Sequence, residues 1–213
     1  CLASPLRDVY KRQDQNPYTD EDYFAYVDGK PRYNGVRDFF ASRGITLPEG
    51  DPSDGPAAQT ICGLGNRKND LFNTVLARDG IQPYPGSRRW VDRLHESGMA
   101  MAVVSSSRNA AAVLKAAGMV EDFSVLVDGN RSKTERLPGK PAPDTYLRGA
   151  ELLGVPAEQC VVVEDAVSGV RAGAAGGFGM VLGVNRGVGA DRLREAGADR
   201  VVDDLDEMVE EMA

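Results

Sequence analysis

The sequence is poor in the side chains that most often do chemistry on their own. Its 213 residues include one histidine and three cysteines. Cys1, Cys62 and Cys160 are odd in number and unclustered, which argues against both a disulfide framework and a zinc site and suits a reducing cytoplasm. Cys160 opens an apolar run and reads as a small core hydrophobe. The lone histidine, His95, sits among polar neighbours in a Leu-His-Glu-Ser stretch and reads as solvated surface rather than a general base. No apolar run approaches the roughly 18 residues of a membrane span, and no stretch reads as a signal peptide. The net charge of -7 gives nucleic acid no electrostatic reason to bind and suits an acidic soluble protein. An initiator methionine is also missing, so the chain is expected to be a fragment or a processed product. Residues 1–13 show neither helical nor strand periodicity and are read as a non-native tail outside the fold.

At 213 residues the chain can hold one sizeable domain or a core plus a small accessory domain. Thr19-Asp20-Glu21-Asp22 has the form of a helix start, a hydroxyl cap followed by acids. Further helices are expected near Val36 to Phe40, ending at Gly44, and over residues 64–79, with a Pro/Gly/Asp-rich loop at 48–56. Residues 14–80 therefore read as a small all-helical cap. From Pro83 onward helices alternate with short β-branched strands, the strands falling at 100–104, 124–127, 160–164, 180–184 and 200–202. Gly98, Gly118, Gly154 and Gly197 each stand just past an expected helix. This alternation specifies an α/β fold with a doubly wound parallel sheet over 81–213.

The most informative feature is a pair of acids closing an apolar strand, Cys160-Val161-Val162-Val163-Glu164-Asp165. Such a strand presents its acids at the carboxyl edge of the sheet, where open α/β folds bind ligands. Ser105, Asp128 and Lys140 fall at the same kind of junction. Hydroxyl, ammonium and paired carboxylate together suit a phosphate with a hard divalent cation. Each has a plainer reading: Asp165 as a helix cap, Lys140 as a solvated loop lysine, Ser105-Ser106-Ser107 as a polar turn before a helix at Asn109. The glycines at 169, 173, 176 and 177 make no nucleotide fingerprint and read as close helix–sheet packing.

Taken in order, Ser105-Ser106-Ser107-Arg108-Asn109, Gly139-Lys140-Pro141 and Glu164-Asp165 resemble three motifs of the haloacid dehalogenase superfamily, and closely its β-phosphoglucomutase-like branch. Asp28-Gly29-Lys30-Pro31-Arg32, Arg67-Lys68-Asn69-Asp70 and Tyr84-Pro85-Gly86 resemble signatures that accompany the helical cap of that branch. The resemblance runs from about residue 17 to the end. It implies a Rossmann-like core and phosphoryl transfer through an aspartyl-phosphate with Mg²⁺. It further implies that Ser105 bonds the transferring phosphoryl group, that Lys140 neutralises its charge, and that Glu164 and Asp165 hold Mg²⁺. Arg32 with Ser107, Arg108 and Asn109 would grip a second phosphate, and Lys68 would face the sugar. Arg108 stands where lysine is common and could bind phosphate in a two-point fashion. Cap closure would exclude water from the transfer.

The family's first motif, Asp-x-Asp-Gly after an apolar strand, has no counterpart here. Asp8, Asp14, Asp20 and Asp22 follow no apolar strand, and Asp28-Gly29 belongs to the cap. The resemblance places that missing strand centrally, between the strands ending at Ser105 and Glu164. These two strands are therefore expected to be separated by a vacant slot, filled by residues 1–13, or collapsed together. The expected function is sugar-phosphate phosphomutase, converting β-glucose 1-phosphate to glucose 6-phosphate, by a monomer. The alternatives are a sugar-phosphate phosphatase and a non-catalytic sugar-phosphate binder. Without its nucleophile the chain as it stands is expected to be inactive.

Overall fold

The computed structural model describes residues 17–211, so the tail expected at 1–13 lies outside them. The chain divides into two compact units, Cys1–Gly80 and Ile81–Ala213.

In the first unit, α1 (Asp20–Asp22) opens with a reciprocal cap. The Thr19 hydroxyl accepts from the Asp22 N–H at 3.2 Å, and the Asp22 carboxylate accepts from the Thr19 N–H at 2.9 Å. A π-helical turn, Tyr23–Val27, continues it. Helix α2 (Arg32–Ser42) starts earlier than its apolar pattern suggests, because its first turn is polar and the periodic face begins only at Val36. Helix α3 (Ile61–Asp79) is capped by the Thr60 hydroxyl on the Gly63 N–H and stopped by Gly80 at φ +66°. Val36, Phe40, Ile45, Ile61 and Leu64 form the core, with Tyr33, Phe39 and Leu47 packed against it. Asp22 pairs with Arg43 at 2.7 Å. Asp20 and Asp22 thus belong to the framework of this unit.

The second unit contains α4 (Pro85–Glu96), β1 (Ala102–Val104), α5 (Ala110–Ala116), β2 (Val125–Val127), α6 (Gly129–Glu135) and α7 (Asp144–Leu153). It continues with β3 (Val161–Glu164), α8 (Val167–Ala175), β4 (Met180–Val184), α9 (Ala190–Glu195), β5 (Arg200–Val202) and α10 (Asp206–Glu211). All pairings are parallel, as the alternation requires. They fall in two ladders, β1-β2 and β3-β4-β5. Central β4 is an apolar run, buried from Val181 to Val184. Leu182, Val184, Val202 and Leu205 build the core around it with Trp90, Val163 and Met208. Gly173 lets α8 sit on the sheet: a Cβ there would lie 3.1 Å from both Val162 Cγ1 and Val181 Cγ2. The Tyr84-Pro85-Gly86 signature is a helix start, with Pro85 in the first turn of α4 and Arg186 3.9 Å above the Tyr84 ring. His95 is exposed. Cys160 is half-buried because β3 enters from the surface, with Val161 52 % exposed.

Among the described residues β1 and β3 do not pair with each other, so the collapsed arrangement is not the one found. Whether the expected slot is vacant or filled by residues 1–13 lies outside the described residues. The Ser105 N–H donates to the Val127 carbonyl at 2.9 Å, so by alternation Val103 also faces β2, while Ala102 and Val104 face away from it. In hydrogen exchange, the Val104 amide is expected to exchange at least about tenfold faster than those of Val103 and Ser105. Equal protection would mean that the edge is covered.

Candidate active site

The carboxyl ends of β1 and β3 meet at one side chain. Lys140 Nζ donates to Glu164 Oε2 at 2.5 Å and lies 3.4 Å from the Val104 carbonyl oxygen. One ammonium therefore touches the last residue of two strands that share no ladder. The two side chains are only 6 % and 10 % exposed, so this is a buried ion pair, whose disruption costs far more than that of a surface pair. Every acceptor site of Glu164 is used. Oε2 also takes the Tyr146 hydroxyl at 2.5 Å, and Oε1 takes the N–H of Asp165 at 3.2 Å and of Ala166 at 3.1 Å. Burial alone would raise the Glu164 carboxyl, but the Lys140 charge and these hydrogen bonds outweigh it and hold the group below its ordinary value. Burial, then the Glu164 charge, pushes the Tyr146 phenol upward, so it stays a donor. Its ring centre lies 4.7 Å from Lys140 Nζ, which makes Tyr146 a neighbour of both ions.

Two outcomes follow from this geometry. Because the folded carboxyl lies below its unfolded value near about 4.3, the stability it contributes is complete above that pH. It is lost as pH falls through the folded value. Urea unfolding followed downward from about pH 6 should show this loss in the wild type, and Glu164→Gln should abolish that component. Tyr146→Phe should cost about 1.5–3 kcal/mol, the range for a hydrogen bond to a charged group. A loss under about 0.5 kcal/mol in urea unfolding would show the phenol to be dispensable.

Gly169, on the first turn of α8, makes room for the carboxylate. A Cβ there would fall inside the van der Waals envelope of Glu164 Oε2, Cδ and Cγ. Asp165, the next residue, is exposed.

The loop after β1 is fixed by its own hydroxyls. Ser105 Oγ accepts from the Ser107 N–H, and Ser107 Oγ from the Asn109 N–H, both at 3.1 Å. From the β2–α6 turn, the Gly129 N–H donates to the Ser107 carbonyl at 3.1 Å and Asn130 Nδ2 to the Arg108 carbonyl at 3.0 Å. A Cβ on Gly129 would stand 2.7 Å from the Ser106 carbonyl oxygen, so this close approach requires glycine. Asp128 lies on the same edge but caps α6, accepting from the N–H of Asn130 at 3.0 Å and of Arg131 at 2.9 Å. Its burial reflects that structural duty.

In the first unit, Arg32 donates to Asn66 and Asn69, and its charge acts on Lys68. Burial, then that charge, lowers the Lys68 pKa.

The family model described as "haloacid dehalogenase-like hydrolase" matches residues 6–177. A beta-phosphoglucomutase of Mycobacterium bovis is 49% identical over 191 residues, covering 88% of this chain and 73% of that protein. The chain belongs to the haloacid dehalogenase-like hydrolases. Hexitol phosphatase A of Escherichia coli is 33% identical over 190 residues, covering 88% of this chain and 77% of that protein. Among solved structures, the beta-phosphoglucomutase of Clostridium difficile matches with a TM-score of 0.74 at 19% identity, covering 99% of this chain and 85% of that one. That last likeness shows the fold.

In this haloacid dehalogenase-like hydrolase, then, Ser105, Glu164 and Asp165 stand at strand ends of one unit, whereas Lys140, expected at such a junction, lies on the loop between helices α6 and α7 and reaches the strand ends with its side chain. Ser107, Arg108 and Asn109 lie on the loop leaving β1, and Arg32 and Lys68 lie close together in the other unit. Asp8 and Asp14 fall outside the described residues. Asp28 closes the π-helical turn, its N–H donating to the Tyr23 carbonyl at 2.9 Å. Among the described residues no group of three His, Cys, Asp or Glu side chains gathers as a metal site. Sequence reasoning missed Tyr146, Asn66 and the contact between Gly169 and Glu164. An aromatic on an amphipathic helix reads as core, and nothing local to Asn66 points to Arg32.

Proposed function

We propose that this chain serves Mg²⁺-dependent phosphoryl transfer on a sugar phosphate, interconverting β-glucose 1-phosphate and glucose 6-phosphate through a bisphosphate. The observation that carries this reading is the Lys140 ammonium held where β1 and β3 end, with the Ser105 hydroxyl following directly from β1. A second cationic cluster, Arg32 with Lys68, stands in the helical unit. The 49% identity to a protein named beta-phosphoglucomutase supports the same reading. Lys140 would offset the charge of the transferring phosphoryl group and Ser105 would donate its hydroxyl proton to a phosphoryl oxygen. Ser107, Arg108 and Asn109 would hold the second phosphate, Arg108 by two parallel donors.

The donor set suits Mg²⁺, which is commonly held by one or two carboxylates together with phosphate oxygens and water. Asp165 would be the principal protein ligand, since Glu164 could join only by releasing one of its four donors. When bound, the ion would supply charge neutralisation between carboxylate and phosphate. Substrate is a small molecule, and the protein would work as a cytoplasmic monomer. Among the described residues no helix is long and apolar enough to cross a membrane.

Two other readings each have an observation in their favour. Hydrolysis of a sugar phosphate is favoured by the likeness to hexitol phosphatase A. Binding without turnover is favoured by the sequence around the described aspartates, none of which stands in an Asp-x-Asp-Gly motif. The test is to measure glucose 6-phosphate formation and phosphate release, first with the chain alone and then with an apolar strand ending in Asp-x-Asp-Gly joined upstream. The chain alone should show no turnover, and the extended protein should isomerise faster than it hydrolyses. Phosphate release without isomerisation would establish the phosphatase instead.

A further inference from the structure

The ladder between β1 and β2 runs on past both strands and ends on a side chain. The Ser105 N–H donates to the Val127 carbonyl at 2.9 Å, and two residues on the Gly129 N–H donates to the Ser107 carbonyl at 3.1 Å. There α6 begins, and the backbone N–H groups of Asn130 and Arg131 go to Asp128 Oδ1 at 3.0 and 2.9 Å. The next carbonyl of the loop, that of Arg108, is met by a side chain instead: Asn130 Nδ2 donates to it at 3.0 Å. The orientation of this amide is forced. The second proton on Nδ2 goes to Asp128 Oδ2 at 2.9 Å, so both are used. Flipping the amide would set its oxygen against a carbonyl and a buried carboxylate, and forfeit both hydrogen bonds.

The peptide unit between Arg108 and Asn109 is thereby held on both sides. Its carbonyl accepts from Asn130, and its N–H donates to Ser107 Oγ at 3.1 Å. Ser107 is exposed, and among the described residues its hydroxyl proton meets no acceptor. An oxygen pinned by a backbone N–H leaves that proton for a ligand able to accept it, as a phosphate oxygen is. A hydroxyl fixed before the ligand arrives also spares the ordering cost that a wandering one would pay on binding. We propose that Asn130 is a positioning residue that fixes the Ser107 hydroxyl as a donor to the phosphate of a bound sugar phosphate, acting through the peptide between residues 108 and 109. This rests on reading the loop that leaves β1 as a phosphate-binding element. It goes further in assigning part of that loop's affinity to a side chain of the β2–α6 turn that touches no ligand.

The test is calorimetric titration of glucose 6-phosphate into the whole chain, with thermal melts on the same samples to show that each variant is folded. Asn130→Ala removes the donor and should weaken binding by about tenfold, the upper end of what one hydrogen bond contributes. Asn130→His returns a ring N–H to the same side of the turn and should recover part of that loss. Ser107→Ala tests the underlying reading and should weaken binding by itself. Adding Asn130→Ala to Ser107→Ala should then cost nothing further, because Asn130 acts through that hydroxyl. If Ser107→Ala weakens binding while Asn130→Ala binds like the wild type, the positioning role is overturned and the phosphate reading stands. The role is also overturned if Asn130→Ala costs the same factor with and without Ser107, or if Asn130→His is folded and binds no better than Asn130→Ala. A wild type that takes up no glucose 6-phosphate, or a Ser107→Ala variant equal to it, would remove the phosphate reading of Ser107 and the inference together.

Discussion

Lys140→Met is expected to cost about 3–5 kcal/mol in urea unfolding at neutral pH, the range for removing one partner of a buried ion pair. The loss is larger than that of a lysine's own contacts because of what stays behind. Glu164 would still accept from Tyr146 and from two backbone amides, but its charge would have no counter-ion in a site it shares with an aromatic ring. The sign of the pH response should also reverse. In the wild type the Lys140 charge holds the Glu164 carboxyl low, so stability falls on acidification. With Lys140 gone, burial acts unopposed and lifts the carboxyl above its unfolded value, so the variant should regain stability as pH falls. Combining Lys140→Met with Glu164→Gln should recover much of the loss, since no buried charge then remains unpaired. A single-variant loss under about 1 kcal/mol would mean that the pair is far better solvated than its geometry indicates.

Gly169→Ala is the second large effect, and it arises from a methyl group rather than a charge. The new Cβ would occupy the space of the Glu164 side chain. A carboxylate with a free end could swing aside cheaply, but this one is held by four hydrogen bonds that cannot all follow it. Overpacking alone costs about 1–3 kcal/mol, and weakening the hydrogen bonds to a buried charge adds to that, so a total loss of about 3 kcal/mol or more is expected. Gly173→Ala, on the same helix, is the control. There the added carbon meets valine methyls at 3.1 Å, and a shift of a few tenths of an ångström relieves it. If the two substitutions cost the same in urea unfolding, Glu164 is not locked as described.

How far the sequence reveals this site depends on the range of each signal. Val161-Val162-Val163 followed by two acids is a local pattern, and the strand with its rim position can be read from it directly. Lys140 and Ser105 are legible only as members of an ordered set of motifs, because a lysine between glycine and proline is in isolation a loop residue. Helix α6, Gly-Asn-Arg-Ser-Lys-Thr-Glu, has no apolar face to announce it and forms because Asp128 caps it. Asp128 for the same reason looked like a rim acid and proves to be a cap. The partition of the strands into two ladders depends on what stands between β1 and β3, which no pattern within either strand encodes. Tyr146 and Asn66 act across 18 and 34 residues of chain, on Glu164 and Arg32 respectively, and contacts of that separation leave no periodicity.

The account rests on groups from separate loops acting on one phosphorylated ligand, and residue-resolved amide shifts during titration with β-glucose 1-phosphate and Mg²⁺ test that most directly. Shifts should concentrate at Ser105 to Asn109, at Lys140 and at Glu164 and Asp165, and should saturate together with one dissociation constant. Shifts that spare the residues around Lys140, or that saturate at unrelated concentrations on these three loops, would contradict it.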